Sequence, residues 1–414
     1  FIISGQLVGR DEPLLRLQRA FGRVGAGSAE AAFVTGEPGV GKSALVDEIH
    51  RSVMEKRGYF AAGKFDQFHR NVPYSAIKQA FQSLARQLLS ENDERLKLWK
   101  TRLEKALGQN GKIVTDIIPE IGSIMGPQTE APELGPDETR NRFNLTFKHF
   151  VRVFADEHHP LVLFLDDLQW ADTASCALIQ TIVTDRDLAY FLFIGSYRDA
   201  ETPDHHPMTL VRNVMEFSGV PMDTIRLTPL DPDDVNLLIS SMIRCEPERS
   251  MPLARAIHEK TKGTPFFINQ FLRTLHDKGL LNLDVTKGWT WDIDRIRTLP
   301  DTDNVVQLMT DKLNDLPPEH LDIIQLCACI GNRFDLETLC TVSNQSMDTV
   351  FSILDRLVQQ GLIASAGDGY RFYHNRIQEA AYSQIYPTER ERIHYRIGNL
   401  DLDRTPPEQV ENRV

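Results

Sequence analysis

The stretch "AAFVTGEPGVGKS", residues 31–43, decides how the rest of the chain is read. A short β-prone run, Ala32 to Thr35, meets Gly36, and Gly36-x-x-x-x-Gly41-Lys42-Ser43 follows. That is the phosphate-binding loop pattern with a strand before it and a helix after it. The helix shows in "KSALVDEIHRSVMEK", where Leu45, Ile49 and Val53 recur at helical spacing. Glycines let backbone N–H groups turn inward around phosphate oxygens, at the positive end of the following helix. Gly36, Glu37, Pro38, Gly39, Val40, Gly41, Lys42, Ser43 and Ala44 are therefore expected to line a nucleotide's phosphates. Lys42 is expected to reach the β- and γ-phosphates, and the Ser43 hydroxyl to ligate Mg2+.

A loop of this kind works with an aspartate at the tip of a buried parallel strand. "LVLFLDDLQWAD", residues 161–172, supplies it: a continuous apolar run, as expected where helices cover both faces of a sheet, ends in Asp166 and Asp167. Asp166 is assigned to the metal. Asp167 sits beside it, placed to polarise a water aimed at the γ-phosphate. A helix-capping or surface carboxylate is the other reading of Asp167.

At 414 residues the chain exceeds one ordinary core, so several domains are expected. The 41% hydrophobic and 25% charged content suit a globular protein, and the longest apolar runs are strand-sized. Beginning at Phe1 without a secretory signal, the chain is expected to be a piece of a larger cytoplasmic protein, without membrane contact from this segment. A formal charge of -12 argues against a nucleic-acid or anionic-membrane partner. Cys176, Cys245, Cys327, Cys329 and Cys340 contain no C-x-x-C and read as thiols in a reducing compartment. The pairs His158-His159 and His205-His206 read as loop residues, not metal ligands.

From Leu7 to about Leu230 short apolar runs alternate with amphipathic stretches, which predicts a parallel α/β sheet. Its strands are expected at Ala32–Thr35, Tyr59–Lys64, Leu161–Leu165, Phe191–Ser196 and Thr224–Leu227. Gln109 to Asp137, low in periodicity and containing "GPQTEAPELGPDE", reads as a long loop or mobile insertion. Val235 to Leu281 is helical in pattern, with an extended piece at "KGWTWDI". Three short helices and a Gly-rich hairpin, "ASAGDGYRFYH", then describe a winged helix. Between Leu321 and Arg371 the acids Asp322, Asp335, Glu337, Asp348, Asp355 and Asp368 outnumber Arg333, Arg356 and Arg371. That composition favours an intramolecular packing module over a DNA-binding one. The last helix, "TERERIHYRIGNLDLD", reads as the start of a helical repeat region. The expected domains are an α/β nucleotide-binding core at 1–230, a helical lid at 231–300, a winged helix at 301–385 and the start of a helical region at 386–414.

In this order the motifs resemble the signal-transduction ATPases with numerous domains, an AAA-related branch of the P-loop NTPases. They are most similar to the ATPase module inside large multidomain sensor kinases. The resemblance implies a P-loop α/β core with an AAA-like parallel sheet, followed by lid and winged helix. "LVGRDEPLLRL" (7–17) resembles the Gly-Arg-acid box, which implies that Val8, Gly9 and Arg10 lie near the adenine. "GKFDQFHRNVPYSAIKQAF" (63–81) is similar to the sensor-kinase subgroup. "FIGSYRD" (193–199) implies a γ-phosphate sensor in Arg198, although a strand-end arginine pairing with Asp199 or Asp172 is an alternative. "GTPFFINQ" (263–270) implies that Pro265 packs on the nucleotide, besides starting a helix. "YRFYHNRIQEAAY" (370–382) implies that His374 faces the phosphates, against the alternative of a packed ring.

There are departures. Asn375 follows His374 where the family often has Asp, and Asp167 stands where many active relatives carry the longer Glu. A misplacement near 1 Å costs about 100-fold in rate, so slow turnover is expected. Arg142 is the candidate for an arginine supplied across an oligomer interface. The expectation is an ATP- and Mg2+-binding module that hydrolyses slowly and switches between ATP and ADP states. Its partners would be other domains of the same protein or signalling proteins, and an oligomer is compatible with it. The competing readings are an oligomeric AAA-type remodelling ATPase and a winged-helix DNA-binding regulator.

Overall fold

The computed structural model describes residues 7–67, 72–132, 134–202, 206–284, 286, 288–299, 310, 312–366 and 369–403. The chain divides into two compact units, Phe1–Thr298 and Leu299–Val414.

In the first unit five strands form a sheet among the described residues: β1 (Ala29–Thr35), β2 (Tyr59–Lys64), β3 (Leu161–Asp166), β4 (Phe191–Tyr197) and β5 (Met222–Arg226). Their order is β2-β3-β4-β1-β5, and every neighbouring pair is parallel. Each strand falls where the apolar runs predicted one, with bounds shifted by a few residues. Successive side chains alternate faces, and the two faces carry separate cores. The even-numbered Ala32, Val34, Phe60, Val162, Phe164, Leu192 and Ile194 pack with Leu17 and Phe21 of the helix Asp11–Val24 and with Leu45, Ile49 and Val53 of the helix Lys42–Glu55. The odd-numbered Phe33, Ala61, Leu163, Leu165 and Phe193 face Ile77, Phe81 and Leu84 of the helix Ser75–Leu89 and Ile179 of the helix Thr173–Val183. Burial on both faces explains why β3 and β4 read as unbroken apolar runs.

The expected loop at 109–137 is corrected. Gly111–Ile117 and Pro119–Met125 are helices, and Pro136–Arg152 begins a third. Val114, Ile118, Ile121 and Met125 are buried in the same core as the odd face of the sheet. Pro119 starts the second helix and resets its phase, so each run is too short for a periodic signal. The segment between Met125 and Pro136 carries the Gly and Pro that dominated the reading.

After β5 come the helices Pro232–Ile243, Pro247–Thr261 and Pro265–Asp277, each with proline in its first turn. A hairpin of β6 (Leu281–Asp284) and β7 (Gly288–Trp291) follows, then the helix Ile293–Thr298. The extended "KGWTWDI" is thus largely the second strand of that hairpin.

The second unit runs helix Pro318–Ile330, β8 (Arg333–Phe334), helices Leu336–Ser343 and Met347–Gln359, then β9 (Ile363–Ala366) and β10 (Gly369–Phe372). These strands form an antiparallel sheet in the order β8-β10-β9. The helices Asn375–Ser383 and Pro387–Asp403 close the described chain. Cys176, Cys327 and Cys329 are buried and Cys245 and Cys340 half-buried, all as free thiols. His158 and His159 lie in a loop, His206 caps the helix Pro207–Phe217, and His205 lies outside the described residues. Among the described residues no helix is long and apolar enough to cross a membrane.

Candidate nucleotide site at the strand tips

The loop after β1 is held open by its glycines. Gly36 has φ +142°, and a Cβ there would lie 2.5 Å from the Leu227 carbonyl oxygen. Gly41, at φ +103°, leads directly into the helix beginning at Lys42. The Lys42 side chain folds back over the loop, donating to the carbonyls of Gly36 at 2.8 Å and Glu37 at 3.1 Å. Burial lowers its pKa, and Asp167 and Asp166 act against that shift.

Sheet order brings the loop to the acidic strand tip. β3 lies beyond β4 from β1, yet the Ser43 hydroxyl donates to Asp166 Oδ2 at 3.0 Å. Asp166 Oδ1 accepts from the Asp167 backbone N–H at 3.1 Å and from the Ser196 hydroxyl on β4. Asp167 itself has φ +58°, a left-handed turn that ends the strand and points its carboxylate into the site. It is 5% exposed, so it is no surface carboxylate, and the helix cap that follows belongs to Asp172, which accepts from Ser175 N–H at 2.8 Å.

Two cations hold Asp167. Lys64, the last residue of β2, pairs in register with Asp166, and its Nζ lies 3.0 Å from Asp167 Oδ2 and 3.4 Å from Asp166 Oδ2. Arg198, directly after β4, approaches Asp167 Oδ1 with Nε at 3.8 Å, donates to Glu201 at 2.7 Å and lies over the Trp170 ring at 4.7 Å. Gln169 Nε2 donates to Asp167 Oδ1 at 2.8 Å. Burial alone would raise the Asp167 carboxyl, but Lys64 and Arg198 outweigh it and hold the pKa down at about 2. The two carboxylates likewise outweigh burial at Lys64 and raise its pKa.

Residues 6–194 match the family described as AAA ATPase domain. This stretch is an AAA ATPase domain. Over 96% of its length the chain is 29% identical to the hybrid signal transduction histidine kinase G of Dictyostelium discoideum. Over 93% it is 22% identical to the peroxide stress-activated histidine kinase mak2 of Schizosaccharomyces pombe. It spans 14% and 17% of the lengths of those two relatives. Among solved structures, the signal transduction ATPase with numerous domains and a tetratricopeptide repeat sensor from Pyrococcus horikoshii superposes on 95% of this chain and 46% of its own. The TM-score is 0.50 and the identity 14%. Residues 6–194 are therefore an AAA-type ATPase domain, and the chain's fold is like that of the solved signal-transduction ATPase.

The helices after β5 reach back to the loop of the AAA ATPase domain. Phe266 N–H donates to the Gly39 carbonyl at 3.2 Å, and a Cβ on Gly39 would stand 2.9 Å from Phe266 Cβ and 3.4 Å from Thr264 Cγ2. Pro265, between those two contacts, starts its helix beside the loop. Arg10 is buried and donates to the carbonyls of Val40 at 3.2 Å and Thr228 at 2.6 Å. Val8 is buried next to it, and Gly9 at φ +64° leaves space that the Asp234 carboxylate fills. Arg142, half-buried on the helix Pro136–Arg152, donates to the Pro132 carbonyl at 2.6 Å. His374 lies in the second unit, where its Nδ1 accepts from Arg376 N–H at 3.1 Å and caps the helix Asn375–Ser383.

The donor set suits a hard divalent cation: a hydroxyl and a carboxylate oxygen 3.0 Å apart beside a phosphate loop. Among the described residues no cluster of three or more His, Cys, Asp and Glu gathers as a metal centre. Sequence reasoning missed Lys64, Ser196 and Gln169. Lys64 stood at the predicted end of β2, but its partner depends on the strand order, which the sequence does not display.

Proposed function

We propose that this chain is an ATP/ADP conformational switch that hydrolyses ATP slowly. The observation that carries the reading is the 3.0 Å contact between Ser43 and Asp166, which joins the phosphate loop to the acidic strand tip. Lys42 and the loop N–H groups bind the phosphates, and Ser43 and Asp166 hold Mg2+, which would neutralise phosphate charge. Asp167 orients the attacking water and accepts its proton. A carboxylate held near pKa 2 by two cations is a weak base at neutral pH, which supports slow turnover.

Arg198 senses the γ-phosphate, exchanging contacts with Glu201 and Asp167 for a phosphate oxygen, while Val8, Gly9 and Arg10 border the base and Pro265 packs on it. The helices from Pro232 onward act as the lid domain at 231–300. The second unit, with its order of helix, strand, two helices and two strands, acts as a winged helix at 301–385, and 386–414 begins a helical region. ADP and ATP would favour different states, with His374 as a residue whose contacts differ between them; a switch needs such differential contacts. The resemblance to two histidine kinases over nearly all of this chain supports a larger cytosolic sensor kinase as parent, with its other domains as partners.

The test is the nucleotide carried through purification, released by denaturation and identified by chromatography. Stoichiometric ADP is expected, as a tightly held resting state requires. An empty site that rapidly turns over added ATP would replace the switch with a cycling ATPase.

A further inference from the structure

We infer that Lys64 is a γ-phosphate ligand, a catalytic cation supplied by the chain's own sheet; the inference deepens the ATP-hydrolysis reading and rests on it. The Lys64 ammonium shares Asp166 Oδ2 with the Ser43 hydroxyl, at 3.4 Å and 3.0 Å, and touches Asp167 Oδ2 at 3.0 Å. It therefore spans the metal-side carboxylate and the carboxylate assigned to the water. An ammonium has three N–H donors, and these two carboxylates take two, which leaves one for a phosphate oxygen. The Lys64 side chain is 30% exposed, against 9% and 7% for Asp166 and Asp167, so it forms the open wall of the acidic pair. Its flexible four-carbon stem lets the head group follow an incoming phosphate. Arg198, by contrast, is 5% exposed and already held by Glu201.

In the step itself the water oxygen bonds to the γ-phosphorus, and the bond from phosphorus to the bridging oxygen breaks with its electron pair leaving on ADP. The water's proton passes to Asp167. Lys64 keeps its proton throughout and offsets charge on the γ-phosphate oxygens, where preorganised cations stabilise the transition state most. Charge supplied in this way makes turnover per molecule independent of protein concentration, without an arginine from a second copy.

The experiment pairs calorimetric binding of ADP–Mg2+ and ATP–Mg2+ with turnover. Binding is measured in Asp167→Asn, with and without Lys64→Met, a combination that keeps the pocket's charge balanced and guards against misfolding. Adding Lys64→Met should weaken ATP roughly 10- to 100-fold, the loss of one charge-assisted hydrogen bond, and leave ADP unchanged. Lys64→Met alone should lower kcat by at least about 100-fold, with Lys64→Arg recovering part of it. Equal losses for ADP and ATP, or unchanged ATP affinity with unchanged turnover, would overturn the inference. Faster turnover in Lys64→Met would also overturn it, making Lys64 a restraint on Asp167. Parent turnover, measured alongside, separates the two readings: a parent that binds ATP without hydrolysing it fails the ATPase reading, while the binding ratio still decides Lys64.

Discussion

The Phe266 N–H donates to the Gly39 carbonyl at 3.2 Å, so the helix Pro265–Asp277 meets the loop after β1 through its own backbone. Residues far apart in sequence meet there because Gly39, at φ +80°, exposes its carbonyl and presents no Cβ. A methyl added at Gly39 would stand 2.9 Å from Phe266 Cβ, closer than side-chain carbons approach. Gly39→Ala is therefore expected to cost about 1–2 kcal/mol in left-handed backbone strain, besides pushing the helix Pro265–Asp277 off the loop. Calorimetry should show ADP affinity falling roughly 10-fold, and thermal melting a lower Tm for the first unit. Unchanged affinity would mean that the contact between Phe266 and Gly39 plays no part in holding nucleotide.

Removing the two charged residues assigned to binding and to chemistry should give opposite patterns. Lys42→Ala deletes the ammonium that lies over the loop at 2.8 Å from the Gly36 carbonyl, and nucleotide binding should be lost. Asp167→Asn keeps the size and hydrogen-bonding reach of the side chain but cannot take a proton. It should bind ATP as the parent does and hydrolyse it at least about 100-fold more slowly. Phosphate release and equilibrium binding on the same preparations check both. Parent-like hydrolysis by Asp167→Asn would place the base elsewhere.

A pH effect on stability is expected away from the nucleotide. Burial would raise the Asp185 carboxyl, but hydrogen bonds from Arg152 outweigh it, with help from the Asp187 N–H and Lys148, and its pKa is lowered. Lys148 Nζ lies 3.5 Å away, and the Asp185 side chain is 3% exposed. A depressed carboxyl contributes fully above its unfolded value of about 3.9 and loses that contribution as pH falls through the folded value. Asp185→Asn should cost about 1–3 kcal/mol at pH 7, the range for hydrogen bonds to a charged group, and its gap to the parent should narrow below about pH 4. Denaturant melts at the two pH values test this, and a gap constant with pH would remove the ion pair as the cause.

Much of the site was legible because its chemistry is local in sequence. Gly36 to Ser43 form one continuous loop and helix start, and the apolar run before Asp166 marks a buried strand whatever its neighbours are. Lys64 was not legible, since a lysine after "YFAAG" reads as a solvated strand end until β2 is known to lie beside β3. Asp167 follows Asp166 in sequence, but its low pKa depends on Lys64 and Arg198, which arrive from two other strands. The alternation of even and odd residues between two cores was hidden for the same reason: strands buried on both faces show no polar side. At Pro119 the failure was different, because a proline that starts one helix also erased the phase shared with the helix before it.

That misreading yields the last prediction. If 109–137 were a mobile insertion, truncating its apolar residues would cost nothing. In the structure Ile118 and Ile121 are completely buried against the core beneath the sheet's odd face. Ile121→Ala should therefore destabilise the first unit by about 2–4 kcal/mol, the usual range for a buried isoleucine cut to alanine. Leu98→Ala, on the nearby helix Asp93–Leu107 but 52% exposed, should shift stability by less than about 0.5 kcal/mol. Urea unfolding followed by the fluorescence of Trp99, which packs in that same core, reports on both variants. Equal midpoints for Ile121→Ala and the parent would return the segment to a loop, and with it the support that these helices give to Phe81, Phe147 and the strands behind Asp166.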